Sequence, residues 1–239
     1  HFLGAPPGGD PHDGPMAMDY FVWVVRGAGR TFMVDTGFDQ ADADKRTRTL
    51  LRRAADGVAA VGVDVGDGPD VIMTHLHYDH AGGLAQFPTS RIHLQDDEMR
   101  FATGRCMTEP AIAHAFEADH IAHMVHRVFA RQAVFHDGDA EIAPGLSLHR
   151  VGGHTMGMQV VRVHTRIGWI VLASDTCHYY ENFTAGQPFP IVYNLGDYLD
   201  AHRRLRELAD DAAFIVPGHD PLVCVRYPAV DRLDVEPEG

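Results

Sequence analysis

Six consecutive residues, His75-Leu76-His77-Tyr78-Asp79-His80, place three imidazoles and a carboxylate closely after the apolar run Val71-Ile72-Met73. A short apolar run bounded by polar residues reads as a buried strand. A strand that ends this way presents all four donors from one tight loop. Three nitrogens and an oxygen at that spacing suit more than one borderline-soft metal ion, typically zinc. The chain therefore has to fold so that a sheet edge becomes a metal centre.

Three later positions repeat the arrangement, each a potential ligand just after a short apolar stretch. His154 lies in Val151-Gly152-Gly153-His154-Thr155, Asp175 in Leu172-Ala173-Ser174-Asp175, and His219 in Val216-Pro217-Gly218-His219. Strand ends on one sheet edge converge in space, and small neighbours let the backbone come close. Strands are expected over 20–26, 31–34, 70–74, 91–94, 146–151, 159–164, 169–173 and 213–216. Helices are expected over 41–55, 95–103, 109–130 and 197–209. In the third helix Ile121, Met124, Val125, Val128 and Phe129 form one apolar face. That order suits two mixed sheets packed face to face under helices, in one domain over 1–239 that opens with an extended Gly/Pro-rich loop over 1–18.

The set H-x-H-x-D-H, Gly-Gly-His-Thr, Ser-Asp and Pro-Gly-His, with the early turn Asp35-Thr36-Gly37, resembles the metallo-β-lactamase superfamily over roughly residues 20–220. The resemblance implies an α/β fold, an αβ/βα sandwich with metals at one edge. It implies two ions. His75, His77 and His154 hold the first, Asp79, His80 and His219 the second, and Asp175 bridges both. Two zinc ions fit the ligand types, with iron, cobalt or manganese as other occupants.

Within the superfamily, the run His75–Gly83, Asp175 followed by Glu181-Asn182-Phe183, and the short stretch after His219 are most similar to N-acyl homoserine lactonases. This implies hydrolytic ring opening of a lactone by a metal-bridging hydroxide, with Asp79 as proton shuttle. Hydrolysis of another lactone or an ester, or a one-iron persulfide dioxygenase-like oxidation, are the alternatives; a third is a sensor that binds lactone without turnover. Those lactonases carry a tyrosine three residues after the bridging Asp, where this chain has His178, followed by Tyr179 and Tyr180. His178, or Tyr179 if the register slips by one, is the expected oxyanion donor. Tyr78 and Tyr179 are candidate substrate contacts.

The rest of the chain narrows the partners. A net charge of −13 disfavours nucleic acid. No run of about 18 apolar residues predicts a membrane span. Three widely spaced cysteines and no apolar leader fit a cytoplasmic protein. The oligomeric state is left open, a homodimer included. Of the 17 histidines, His120, His123 and His126 are expected on the solvated side of their helix, and Cys177 is expected to pack.

Overall fold

β-Branched and aromatic residues build the first strands, and their alternation decides which face they bury. β1 (Trp23–Gly27) and β2 (Arg30–Val34) form an antiparallel hairpin. β3 (Asp70–Ile72), β4 (Ile92–Gln95) and β5 (Ala133–His136) then add in parallel, giving the order β1-β2-β3-β4-β5. The second sheet has the order β10-β9-β8-β7-β6. It is built from β6 (Ala140–Ala143), β7 (Leu146–Arg150), β8 (Gln159–Thr165), β9 (Gly168–Ser174) and β10 (Ile215–Pro217), antiparallel except for the parallel β9/β10 pair. This is a computed structural model that describes residues 16–27 and 29–227. Most of the expected loop over 1–18 lies outside the described residues, and 16–18 are irregular.

Phe32, Val34 and Ile72 face Leu148, Val161 and Leu172 between the two sheets. Met33, Val71, Ile92 and Leu94 point the other way, under α2 (Ala54–Ala60), α4 (Asp96–Ala102) and α6 (Ala118–Phe129). α8 (Leu195–Leu208) buries Tyr198, Leu205 and Leu208, as its spacing predicts. The result is the αβ/βα sandwich of two mixed sheets flanked by helices. A buried amide ladder joins the sheets near one edge: Gln159 donates to the Met73 carbonyl (2.7 Å) and accepts from Gln95 (2.9 Å). Cys177 is fully buried in the inter-sheet core. Among the described residues no helix is long and apolar enough to cross a membrane.

Four expectations are corrected. The helix expected over 41–55 is two, α1 (Gln40–Arg46) and α2, because Thr47 turns left-handed (φ 54°) and ends the first. The helix expected over 109–130 is α5 (Pro110–Ala113) and α6, separated by a break in which the Ala115 carbonyl accepts from the Tyr78 amide (2.9 Å). On α6, Phe129 is 85% exposed, and the polar Arg127 is buried instead. Its guanidinium donates to the carbonyls of Phe87 and Pro88. His120 is not solvated either: its Nε2 lies 3.3 Å from Asp42 Oδ2 of α1. β5 and β6 had no counterpart in the sequence reading.

One close approach sets the spacing between α4 and the loop after His154. A Cβ on Gly157 would stand 2.1 Å from the Glu98 amide nitrogen and 2.5 Å from its Cα. Backbone cannot give way as a flexible side chain can. Gly157→Ala is expected to lower stability by roughly 3 kcal/mol, read as a shift of the urea midpoint with an unchanged slope.

Candidate metal centre

The expected ligands sit on loops that leave one edge of the two sheets, or on the short helix that one of these loops enters. The loop after β3 carries His75 and His77 and runs into α3 (Tyr78–Ala81), which supplies Asp79 and His80. His154 follows β7, Asp175 follows β9 and His219 follows β10. Gly218 lets the last of these in, since a Cβ there would lie 2.8 Å from Asp175 Oδ1.

Donor atoms of His75, His77, His154 and Asp175 lie within 4.8 Å of one another, and so do those of Asp79, His80 and His219. Asp175 divides its two oxygens between the groups. Oδ2 lies 3.3 Å from His154 Nε2 and 3.8 Å from His75 Nε2. Oδ1 lies 3.0 Å from His219 Nε2 and 3.2 Å from His80 Nε2. Asp79 Oδ2 is 3.8 Å from both His80 Nε2 and His219 Nε2. Donors bound at zinc–nitrogen distances of 2.0–2.1 Å sit about 3.3 Å apart around a tetrahedral ion, so these spacings match a coordination shell. The fit has a second support. His75 Nε2 and His80 Nε2 are buried and have no hydrogen-bond partner, an arrangement that is costly unless something else satisfies them.

For four of the rings the far side carries a hydrogen-bond partner. His154 Nδ1 meets the Ile191 carbonyl (2.8 Å) and His219 Nδ1 the Asp19 carbonyl (2.7 Å). A carbonyl only accepts, so both Nδ1 atoms carry the proton and both Nε2 lone pairs face the centre. His80 Nδ1 donates to Asp35 Oδ2 (2.8 Å), and His75 Nδ1 lies 3.1 Å from Thr74 Oγ1. The other oxygen of Asp35 accepts from the Thr74 amide (2.7 Å). The Asp-Thr-Gly turn thus serves the centre from behind. Asp35 holds a left-handed backbone (φ 62°) to do so. His77 is turned the other way, its Nδ1 3.0 Å from His154 Nε2.

Electrostatics divide the rings. Burial, reinforced by neighbouring imidazoles, holds His75 and His77 well below the usual histidine range, in the neutral form a metal needs. Burial also opposes charge on His80 and His219, but the surrounding carboxylates, Asp175 foremost with Asp79 and, for His80, Asp35, together raise both. Burial would raise Asp175 itself, but His178, His219 and His80 hold it well below the carboxylate range.

His178 stands at the centre, with Nε2 3.1 Å from Asp175 Oδ2. Burial pushes it down to about 3. Tyr179 points elsewhere, its hydroxyl donating to the Ala17 carbonyl (3.3 Å). It lines a cleft of about 680 Å³ with Met16, Ala17, Tyr180, Asp220 and Leu222. Tyr78 packs with Phe38 and Ala43 beneath the Arg46 guanidinium. Two phenylalanines pack on rings of the cluster: Phe116 on His77 (ring centroids 4.5 Å apart) and Phe189 on His178 (3.6 Å).

The sequence reading missed Glu98. It is fully buried on α4 and accepts from the Leu76 amide (2.9 Å), the Thr155 hydroxyl (2.6 Å) and the Gly157 amide (3.1 Å). One carboxylate therefore ties the His75–His77 loop to the His154 loop. Burial raises its pKa despite those three donors.

Residues 18–95 match the family model of the metallo-beta-lactamase superfamily, and the chain carries a domain of that fold. An N-acyl homoserine lactonase of Bacillus thuringiensis is 29% identical over 162 residues, 67% of this chain and 59% of the relative. The chain thus spans less than two thirds of the length of that curated relative. A probable metallo-hydrolase of Mycobacterium tuberculosis is 26% identical over 234 residues, 84% of this chain and 72% of the relative. Among solved structures, a quorum-quenching N-acyl homoserine lactone lactonase superposes with a TM-score of 0.71 at 25% identity, covering 85% of this chain and 80% of that one. An N-acyl homoserine lactone hydrolase with N-hexanoyl-L-homoserine at its catalytic metal centre gives 0.72 at 24% identity, covering 85% and 82%.

The anchors behind the rings make a prediction of their own. Asp35→Asn and Glu98→Gln each remove a charge that holds a candidate ligand or its loop from behind, outside the donor cluster. Each is expected to weaken zinc binding about 10–100-fold, measured by competition with a chromophoric chelator.

Proposed function

We propose that the chain is a dinuclear metal-dependent hydrolase that opens the ring of a lactone, an N-acyl homoserine lactone above others. The observation that carries this reading is the division of Asp175: one oxygen towards three imidazoles, the other towards two imidazoles and, beyond them, Asp79. A one-ion oxidation chemistry has no use for the second group. The lactonase names of the relatives supply the substrate class. Two zinc ions held there would supply a water acidic enough to attack at neutral pH and a Lewis acid for the carbonyl.

The chain's own residues do the rest. Water adds to the lactone carbonyl carbon, the bond from that carbon to the ring oxygen breaks, and the ring oxygen leaves as an alkoxide that needs a proton. Asp79 is the less buried of the two carboxylates at the centre. With one oxygen towards His80 and His219, it keeps the other to carry that proton. A carbonyl seated at the centre meets His178 rather than Tyr179, whose hydroxyl is engaged with Ala17. Phe116 and Phe189 exclude water beside the reacting atoms. The cleft lined by Tyr179 and Asp220, the chain neighbours of His178 and His219, is the proposed seat of the acyl arm. The same reading places the protein in the cytoplasm.

Purified protein should carry two zinc equivalents. It should release acid from a panel of N-acyl homoserine lactones, lose that activity to a chelator and regain it with zinc. Asp175→Ala should lower kcat/KM by more than about 100-fold, beyond the range of an outer residue. Two bound zinc ions with every lactone of the panel intact would overturn the substrate, leaving other lactones and esters. One iron and oxidation of a persulfide would overturn the hydrolase.

A further inference from the structure

His178 has the geometry of a ligand. Its Nε2 lies 3.1 Å from Asp175 Oδ2, within the 3.0–3.8 Å span that separates Asp175 from the donors on either side of it. Its donor atom, one from Asp175 and one from His219 all lie within 4.8 Å of one another. This third group overlaps the other two through Asp175 and shares His219 with the second. We propose that His178 is itself a metal ligand of this centre, a further nitrogen donor at the edge formed by Asp175 and His219.

The way the ring is held supports this. Most of the other imidazoles are oriented by a hydrogen bond from Nδ1. His178 Nδ1 is buried and has no such partner. Stacking replaces it: Phe189 lies parallel on one contact (ring centroids 3.6 Å, 13° between planes), and His219 lies at 5.0 Å and 29°. Both contacts hold the plane of the ring, within which Nε2 lies at the carboxylate. The residue is only 2% exposed, so solvent does not compete for that nitrogen. A bound ion gains a neutral imidazole, the ligand type that favours zinc, copper, iron and nickel over magnesium or calcium. A His178 Nε2 bound to an ion carries no proton to donate, so in the loaded protein this ligand role replaces the contact to the substrate carbonyl given above.

This rests on the two-ion reading, and the test separates the two. His178→Phe keeps the aromatic stack and removes the nitrogen. His178→Gln keeps an N–H that can serve a substrate oxygen but is a poor ligand. The measurements are zinc retention against a graded chelator and the visible spectrum of the cobalt-substituted protein, with circular dichroism as the check on folding. Both variants are expected to release one of the two ions at least about tenfold more readily and to shift the cobalt bands, with the second ion unaffected. Retention within about threefold of the parent and an unchanged cobalt spectrum in His178→Gln would overturn the proposal while leaving the two-ion centre standing. A parent protein that binds fewer than two ions would overturn both. If His178→Phe does not fold, His178→Gln alone decides.

Discussion

Asp175 is buried among five imidazoles, those of His75, His80, His154, His178 and His219, each within 3.8 Å of one of its oxygens. A carboxylate taken out of water needs compensation for its lost hydration, and so does every buried ring nitrogen around it. The surroundings are built for that. Gly218 lets the end of β10 approach the carboxylate, where the β9/β10 register shifts between Val216 and Pro217. Asp35, Thr74 and two main-chain carbonyls hold the rings from behind. The sandwich supplies the rest by bringing the ends of β3, β7, β9 and β10 to one edge.

Two cations would complete this balance. Without them the centre holds opposed tendencies: His75 and His77 are pressed towards neutrality, while His80 and His219 are drawn towards charge by the carboxylates around them, Asp175 foremost. The split follows the two groups, since each pair belongs to a different one. Divalent ions held there would displace protons from the rings, which is the ordinary coupling of metal binding to deprotonation.

Much of this candidate centre was legible in the chain because its donor residues advertise themselves. His75 to His80 are contiguous, and Asp175 and His219 follow apolar strands. Glu98 was hidden because it stands third in the acidic opening turn Asp96-Asp97-Glu98 of α4, where carboxylates normally face solvent and favour the helix dipole. The break between α5 and α6 was hidden because the competing interaction is distant: Ala115 gives its carbonyl to Tyr78, a contact no local periodicity encodes. β5 is short, only partly buried and held by parallel pairing to β4. Such a strand depends on its neighbour more than on its own pattern. The exposed Phe129 shows the reverse error, an apolar residue at correct spacing but beyond the reach of the core.

The carbonyl anchors of His154 and His219 have a further consequence. Ile191 and Asp19 hold these rings through peptide oxygens, which every amino acid possesses. Their side chains can therefore drift over evolutionary time without disturbing ring orientation, provided the chain path is kept. Insertions or deletions in the segments around them would matter far more than replacements. Two of the constraints that aim this centre thus leave no trace in residue identity, and a comparison by letters alone would count those positions as unimportant.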